Sequence, residues 1–288
     1  SEVRIVSGGD YYYSGGLKVY TENDKLGNYI FYDLRELTSL TIPKGIISVG
    51  NCAFKDCINL VSLDLPSSIT CIGDKAFSGC KSLTNLVIPA SVTSIGASAF
   101  SGCAGLASLT VPTGVDSIGN STFYGCKNLT NLVLPPSVST IGDDAFLGCT
   151  SLTNLVIPSS VTSIGASAFG ACASLTSLTI PAGVDSIGKS TFSGCTSLMN
   201  LDLPSSVSTI GDNAFSNCTS LTNLVIPSNV KSIGSSAFES CTKLSNLSIP
   251  SSVTHIGRDA FSRCKSLTSL IIPSSVKEIE SYTFYECT

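Results

Sequence analysis

The stretch TSLTNLVIPSSVTSIGASAFGAC, residues 150–172, decides the fold because it is one of eleven copies. The 23-residue unit closes at Cys57, Cys80, Cys103, Cys126, Cys149, Cys172, Cys195, Cys218, Cys241, Cys264 and Cys287, and no insertion or deletion breaks the period from Arg35 onward. Self-similarity at a fixed period of this size marks a solenoid or array. We number each unit so that its closing Cys is position 23, and count coils 1 to 11 from the copy ending at Cys57.

Within residues 150–172 the apolar set is Leu152, Leu155, Ile157, Val161, Ile164, Ala168, Phe169 and Cys172. Leu155 and Ile157 alternate with Asn154 and Val156, the period of a strand with one buried face. Pro158 has no N–H for a ladder and closes that strand. Val161 and Ile164 make a second extended piece, and Gly165 permits the bend after it. Ala168, Phe169 and Cys172 are spaced by one, three and four, which predicts a helical or 3₁₀ turn with these residues inward. One coil cannot bury its own apolar stripe, so neighbours must cover both flanks. Parallel strands are expected over positions 5 to 9, with coils at a strand spacing of about 4.8 Å. The Phe at position 20 occurs in every copy from Phe54 to Phe284, so a continuous Phe stack is the expected spine.

The pattern L-x-x-L-x-I-P-x-S-V-x-x-I-G-x-x-A-F-x-x-C resembles the BspA-like class of leucine-rich repeats and covers residues 35–287. The resemblance implies a right-handed solenoid on surface or secreted proteins that bind host proteins or other cells. It also implies an Asn-ladder position, occupied here at position 11 by Ser160, Gly183 and Ser206. The expected fold class is thus a β-rich leucine-rich-repeat solenoid of eleven coils.

Residues 1–34 lie outside the eleven copies and hold Tyr11, Tyr12, Tyr13, Tyr20, Tyr29 and Tyr32. YYYSGGLKVY reads as strand, Gly-Gly turn, strand, a hairpin suited to capping the first coil. An aromatic platform for a sugar or peptide is the alternative use. At the other end Glu280 replaces the position-16 Gly, and the chain stops at Thr288, one residue past a repeat boundary. That suggests either an economical cap or a chain continuing into further domains, and the second is the expectation. The domains are therefore a Tyr-rich cap, 1–34, and a solenoid, 35–288.

A second period runs through the copies. Coils 3 and 6, starting at Lys81 and Thr150, agree at 19 of 23 positions. Coils 4 and 7, starting at Ala104 and Ala173, share the variant G-V-D-S-I-G. Three-coil blocks have been duplicated, so surface features should recur every 69 residues.

Composition narrows the function. Charged residues are only 12% and net charge is −4, which offers no electrostatic footprint for nucleic acid or an anionic membrane. No run of 18 apolar residues exists, and SEVRIV carries no basic and apolar leader, so a signal peptide is absent or removed. Eleven of the 13 cysteines share one inward position and read as buried, reduced small hydrophobes. Thiolates strung along an axis cannot converge on one zinc ion. Cys52 and Cys71, at positions 18 and 14 of adjacent coils, read as two partly exposed thiols, or alternatively as a disulfide.

Catalytic constellations are missing from the pattern. His255 is the one histidine and replaces a residue that is mostly Ser or Thr. Asp64 and Asp202 share position 7 but lie six coils apart; Asp116 and Asp185 share position 13, three coils apart. Asp143 and Asp144 are turn neighbours that read as solvated. No enzyme, cofactor or metal site is expected. Sequons at Asn120, Asn128, Asn217 and Asn246 would matter only in a eukaryotic secretory pathway.

Positions 5 and 7, outward on the main strand, remain. Asn85 and Val87, Asn131 and Val133, Asn154 and Val156, Asn200 and Asp202, and Asn223 and Val225 form a face of short polar groups interrupted by valine. Such side chains lose little entropy on docking. The expected function is a non-enzymatic adhesion or protein-binding module, on a cell surface or secreted, that engages a host extracellular protein through this face. The alternative is a structural or ice-facing array, suggested by Thr84, Thr130, Thr153, Thr176, Thr222 and Thr268 at position 4.

Overall fold

The computed structural model describes residues 24–287 continuously, together with the strand segments Glu2–Arg4, Asp10–Tyr12 and Lys18–Tyr20. Residues 24–287 form a β-solenoid with parallel strands one period apart. Position 5–7 strands pair in register across coils, as in Ser39↔Ser62, Leu40↔Leu63 and Thr41↔Asp64. A second file of two-residue strands stands at positions 14–15, for example Ser48–Val49 and Cys71–Ile72. The main strands are shorter than the expected positions 5 to 9, because Pro at position 9 follows a residue whose ladder is already ending. All eight apolar positions are inward: Leu152, Leu155, Ile157, Val161, Ile164, Ala168, Phe169 and Cys172 are all buried.

The expected helical or 3₁₀ turn is not formed. Positions 16–23 instead alternate two kinds of hydrogen bond. In coil 1, Ala53, Lys55 and Cys57 N–H groups donate to Gly50, Cys52 and Phe54 carbonyls, three residues back. The N–H groups between them, on Cys52, Phe54 and Asp56, donate to Asp74, Ala76 and Ser78 of coil 2 at 2.7–2.8 Å. A helix would keep all these bonds within one coil. Position 18 prevents it, being left-handed in every copy, from Cys52 (φ 55) through Ser167 (φ 53) to Tyr282 (φ 60). The turn is thus a second inter-coil ladder.

Around this ladder the core is stacked. Twelve Phe rings run from Phe31 to Phe284 with centroids 4.9–5.7 Å apart and ring planes within 19°. The twelfth ring, Phe31, shows that the period begins before the first complete copy. Leu26 pairs with Val49, Phe31 N–H donates to Ala53 O, and Tyr29 (φ 59) repeats the position-18 conformation. Residues 24–34 are the second half of a coil whose sequence has drifted too far to be read as a copy.

Asp10–Tyr12 and Lys18–Tyr20 pair antiparallel, and Glu2–Arg4 pairs parallel with Ser39–Thr41, extending the first sheet. Tyr13 and the Gly15–Gly16 turn lie outside the described residues. Tyr29 and Tyr32 do not lie over the coil; they are exposed on the turn side, ring edge to ring face at 5.9 Å.

Candidate interaction face

The face is built by strand alternation. At positions 5 and 7 the backbone turns side chains outward while positions 6 and 8 bury theirs. Asn85, Val87, Asn131, Val133, Asn154, Val156, Asn200, Asp202, Asn223 and Val225 are all exposed. Exposure is uneven: Val87, Val156 and Val225 show 80, 84 and 81% of their surface, Val133 only 49%. These three valines are 69 residues apart, so the three-coil block is visible on the surface. Charges at position 7 are limited to Asp64, which accepts from Thr41 Oγ1, and Asp202.

The main sheet is interrupted along this face. Asn85–Leu86 pairs with coil 2 but not with Ser108–Thr110 of coil 4, and no backbone hydrogen bond among the described residues involves Asn154, Leu155, Val156 or Ile157. Two clefts of about 260 and 300 Å³ open there. Asn85, Leu86, Val87 and Ile88 face Ser108, Leu109 and Thr110 in the first; Asn154, Leu155, Val156 and Ile157 face Ser177, Leu178 and Thr179 in the second. The linings match position for position one block apart, except that Asp202 joins the second.

Elsewhere the short polar groups that solvate the chain also staple coils together. Position-11 serines donate to the position-12 carbonyl one coil back, as Ser160 Oγ to Val138 O and Ser252 Oγ to Val230 O, at 2.5–2.7 Å. Position-13 hydroxyls donate likewise, Thr70 to Ile47 O and Ser139 to Asp116 O. A second ladder was not legible in the repeat consensus. Position-17 side chains Asn28, Asn51, Asp74, Asn120, Asp143 and Asp212 each accept the position-17 N–H of the next coil at 2.8–2.9 Å. Its signal was the Asn/Asp enrichment directly after the position-16 Gly. Asp143 is thus exposed, as its solvated reading requires, and is also a structural acceptor for the next coil.

The ladder thiols are hydrogen-bonded within the stack, and all but Cys287 are buried. Each ladder Sγ–H donates to the Phe carbonyl of the preceding coil at 2.9–3.2 Å, from Cys57 to Phe31 O through Cys287 to Phe261 O. Burial pushes the Cys149 and Cys195 thiols up to about 12, because a thiolate would lose its water. All are free, as are Cys52 and Cys71; Cys52 is buried and Cys71 half-buried, so only the second fits the partly exposed reading. Among the described residues no group of three His, Cys, Asp or Glu converges to hold a metal. His255 Nε2 stands 3.7 Å from Glu280 at the surface. Among the described residues no helix is long and apolar enough to cross a membrane.

A family model of the BspA type leucine rich repeat region matches residues 24–127, 72–187, 116–243 and 162–288. Solved structures are also similar. A leucine rich cell surface protein of Faecalibacterium prausnitzii is 29% identical over 85% of this chain and 82% of its own, with a TM-score of 0.55. A leucine-rich repeat protein of Bacteroides ovatus is 28% identical over 100% of this chain and 90% of its own, TM-score 0.56. One from Eubacterium ventriosum, at 22% identity over 95 and 96%, with a TM-score of 0.54, shares the fold. No curated protein matches.

Proposed function

This chain belongs to the BspA-type leucine-rich repeat family, and from that premise we propose that it is a surface-displayed or secreted module that binds a host extracellular protein through its strand face. The observation that carries the reading is the row of outward valines, Val87, Val156 and Val225, on a nearly uncharged surface. Apolar side chains exposed this far on a face with few charges offer a partner area to cover. The description of the Faecalibacterium relative as a cell surface protein supports the location. Strands Glu2–Arg4, Asp10–Tyr12 and Lys18–Tyr20 then serve as the cap that shields the first sheet's edge.

The ice-facing alternative loses support from the hydroxyls. Of the six position-4 threonines, Thr130 and Thr176 turn their Oγ1 to the Ala107 and Thr153 carbonyls, which takes two hydroxyls out of the file.

Surface plasmon resonance against a panel of purified extracellular proteins tests the assignment. Lys at Val87, Val156 and Val225 should abolish binding, since docking would strip water from unpaired charge. Lys at Ser98, Ser167 and Ser190 should leave it intact, because Lys75 already occupies the same turn position. The reverse result moves the site to the turn side.

A further inference from the structure

We propose that the solenoid carries two built-in hinges, at the boundaries between coils 3 and 4 and between coils 6 and 7, that open on the strand face while the Phe side stays closed. Both sheets stop there. The position 14–15 file divides into Lys25–Leu26 to Ser94–Ile95, Ser117–Ile118 to Ser163–Ile164, and Ser186–Ile187 to His255–Ile256. The main sheet is interrupted at these two places and also between coils 5 and 6 and coils 8 and 9, where the position 14–15 file continues. Both files stop together only at the two proposed hinges and before the last coil, which has no strand.

The bonds that are missing are specific. At the boundaries within coils 1–3, 4–6 and 7–10 the N–H groups at positions 13 and 16 reach the preceding coil, as Ser139 to Asp116 O and Gly142 to Ile118 O, both at 2.8 Å; at the last boundary Lys277 and Glu280 do not. Among the described residues Asp116, Gly119, Asp185 and Gly188 make no such bond. The backbone is also farther apart. A Cβ placed on Gly257 would lie 2.6 Å from Ser235 N of the coil before, whereas on Gly119 or Gly188 it would lie 3.5 or 3.8 Å from Ala97 or Ala166 Cα. On the opposite side nothing has parted. Ser98 N–H donates to Asn120 O at 2.9 Å, Ser167 N–H to Lys189 O at 2.8 Å, and the Phe100–Phe123 and Phe169–Phe192 rings stay 5.6 and 5.5 Å apart.

The cause is in the sequence. Three staples are absent together at these boundaries. Gly114 and Gly183 replace the position-11 Ser; Asp116 and Asp185 replace the position-13 hydroxyl and accept instead from their own neighbours Ser117 and Ser186. Ala97 and Ala166 replace the position-17 acceptor in the coil before. Losing one staple is tolerated: Lys189 offers no acceptor, yet Ser206 and Ser208 hold coil 8 to coil 7 and Ser186 pairs with Thr209. The next block boundary, coils 9 to 10, is an internal control. Ser252 and Thr254 restore two staples there, Asn246 Nδ2 donates to Asn223 Oδ1 at 3.1 Å, and both sheets continue.

The molecule is thus three stiff blocks that hinge about a shared spine. This deepens the strand-face reading only in the use made of the hinges: opening adjusts the spacing of the two equivalent clefts to a partner. Their existence is independent of any partner.

Amide hydrogen exchange on the free protein, read by mass spectrometry, tests it. Peptides over residues 113–120 and 182–189 should exchange much faster than 251–258. Restoring the staples, with Ala97→Asn, Gly114→Ser and Asp116→Thr at one boundary, should slow the first peptide about tenfold or more and leave the second fast. The opposite change, Ser252→Gly with Thr254→Asp, should speed exchange over 251–258 without altering the turn peptides. Equal protection at all three boundaries in the native chain overturns the proposal, as does a restored boundary that exchanges as before.

Discussion

Each coil has two sides that do different jobs. On the turn side, positions 18, 20 and 22 send their N–H groups to the next coil without a break, the Phe rings stack, and thiols and position-17 carboxamides or carboxylates add further inter-coil bonds. On the strand side the ladder is short, interrupted, and lined by exposed valine. The difference shows that a repeat need not be held uniformly. One side supplies continuity, and the other is left free to face a partner.

The comparison breaks most visibly in the spine. Phe169→Ala should cost about 3–5 kcal/mol, because a buried ring is lost and its neighbours cannot collapse into the space. Val156→Ala, outward in the same coil, should change stability by no more than about 0.5 kcal/mol. Chemical denaturation of both variants checks this. Similar losses would mean the strand side carries structural weight too.

The thiol ladder sharpens the contrast through pH. Cys149 and Cys195 ionise near 12 in the fold against a reference of 9.0, so the folded value is the raised one. Their contribution is complete below about pH 9 and is lost as pH rises from there toward 12. Thermal melts should therefore fall steeply over that window, and a Cys149→Ala, Cys195→Ala double variant should fall less steeply. An unchanged slope contradicts the assignment.

Smaller effects follow from single staples. Asp143→Ala removes the acceptor for Ala166 N–H and should cost about 1 kcal/mol. Smallest of all, Ser167→Gly relieves a left-handed position (φ 53) and should gain less than about 1 kcal/mol, since the added freedom of the unfolded chain offsets part of the relief. Thermal denaturation of each reads both signs.

Much of this was legible in the residues. Burial at Leu152, Leu155, Ile157, Val161, Ile164, Ala168, Phe169 and Cys172 follows from spacing alone, since side-chain hydrophobicity reports which way a position points. The turn was misread for a related reason. Ala168, Phe169 and Cys172 have helical spacing, but the backbone bonds that replace the helix run between coils and leave no mark on side-chain character. The half-coil at Leu26–Phe31 was missed because only its inward residues still match. In the residues the G-V-D-S-I-G variant reads as a duplication. Its physical content, the loss of staples at Gly114, Asp116 and Ala97, required knowing which hydroxyls and amides cross the boundary.

One measurement within a single coil bears most directly on the two-sided account: residue-resolved amide exchange in coil 6 of the native protein. Phe169 and Ala171, bonded to Thr191 and Ser193 at 2.9 and 2.7 Å, should exchange only with global unfolding. Val156 and Ile157, which have no backbone partner, should exchange orders of magnitude faster under the same conditions. Equal protection on the two sides of that coil would contradict the division into a holding side and a free face.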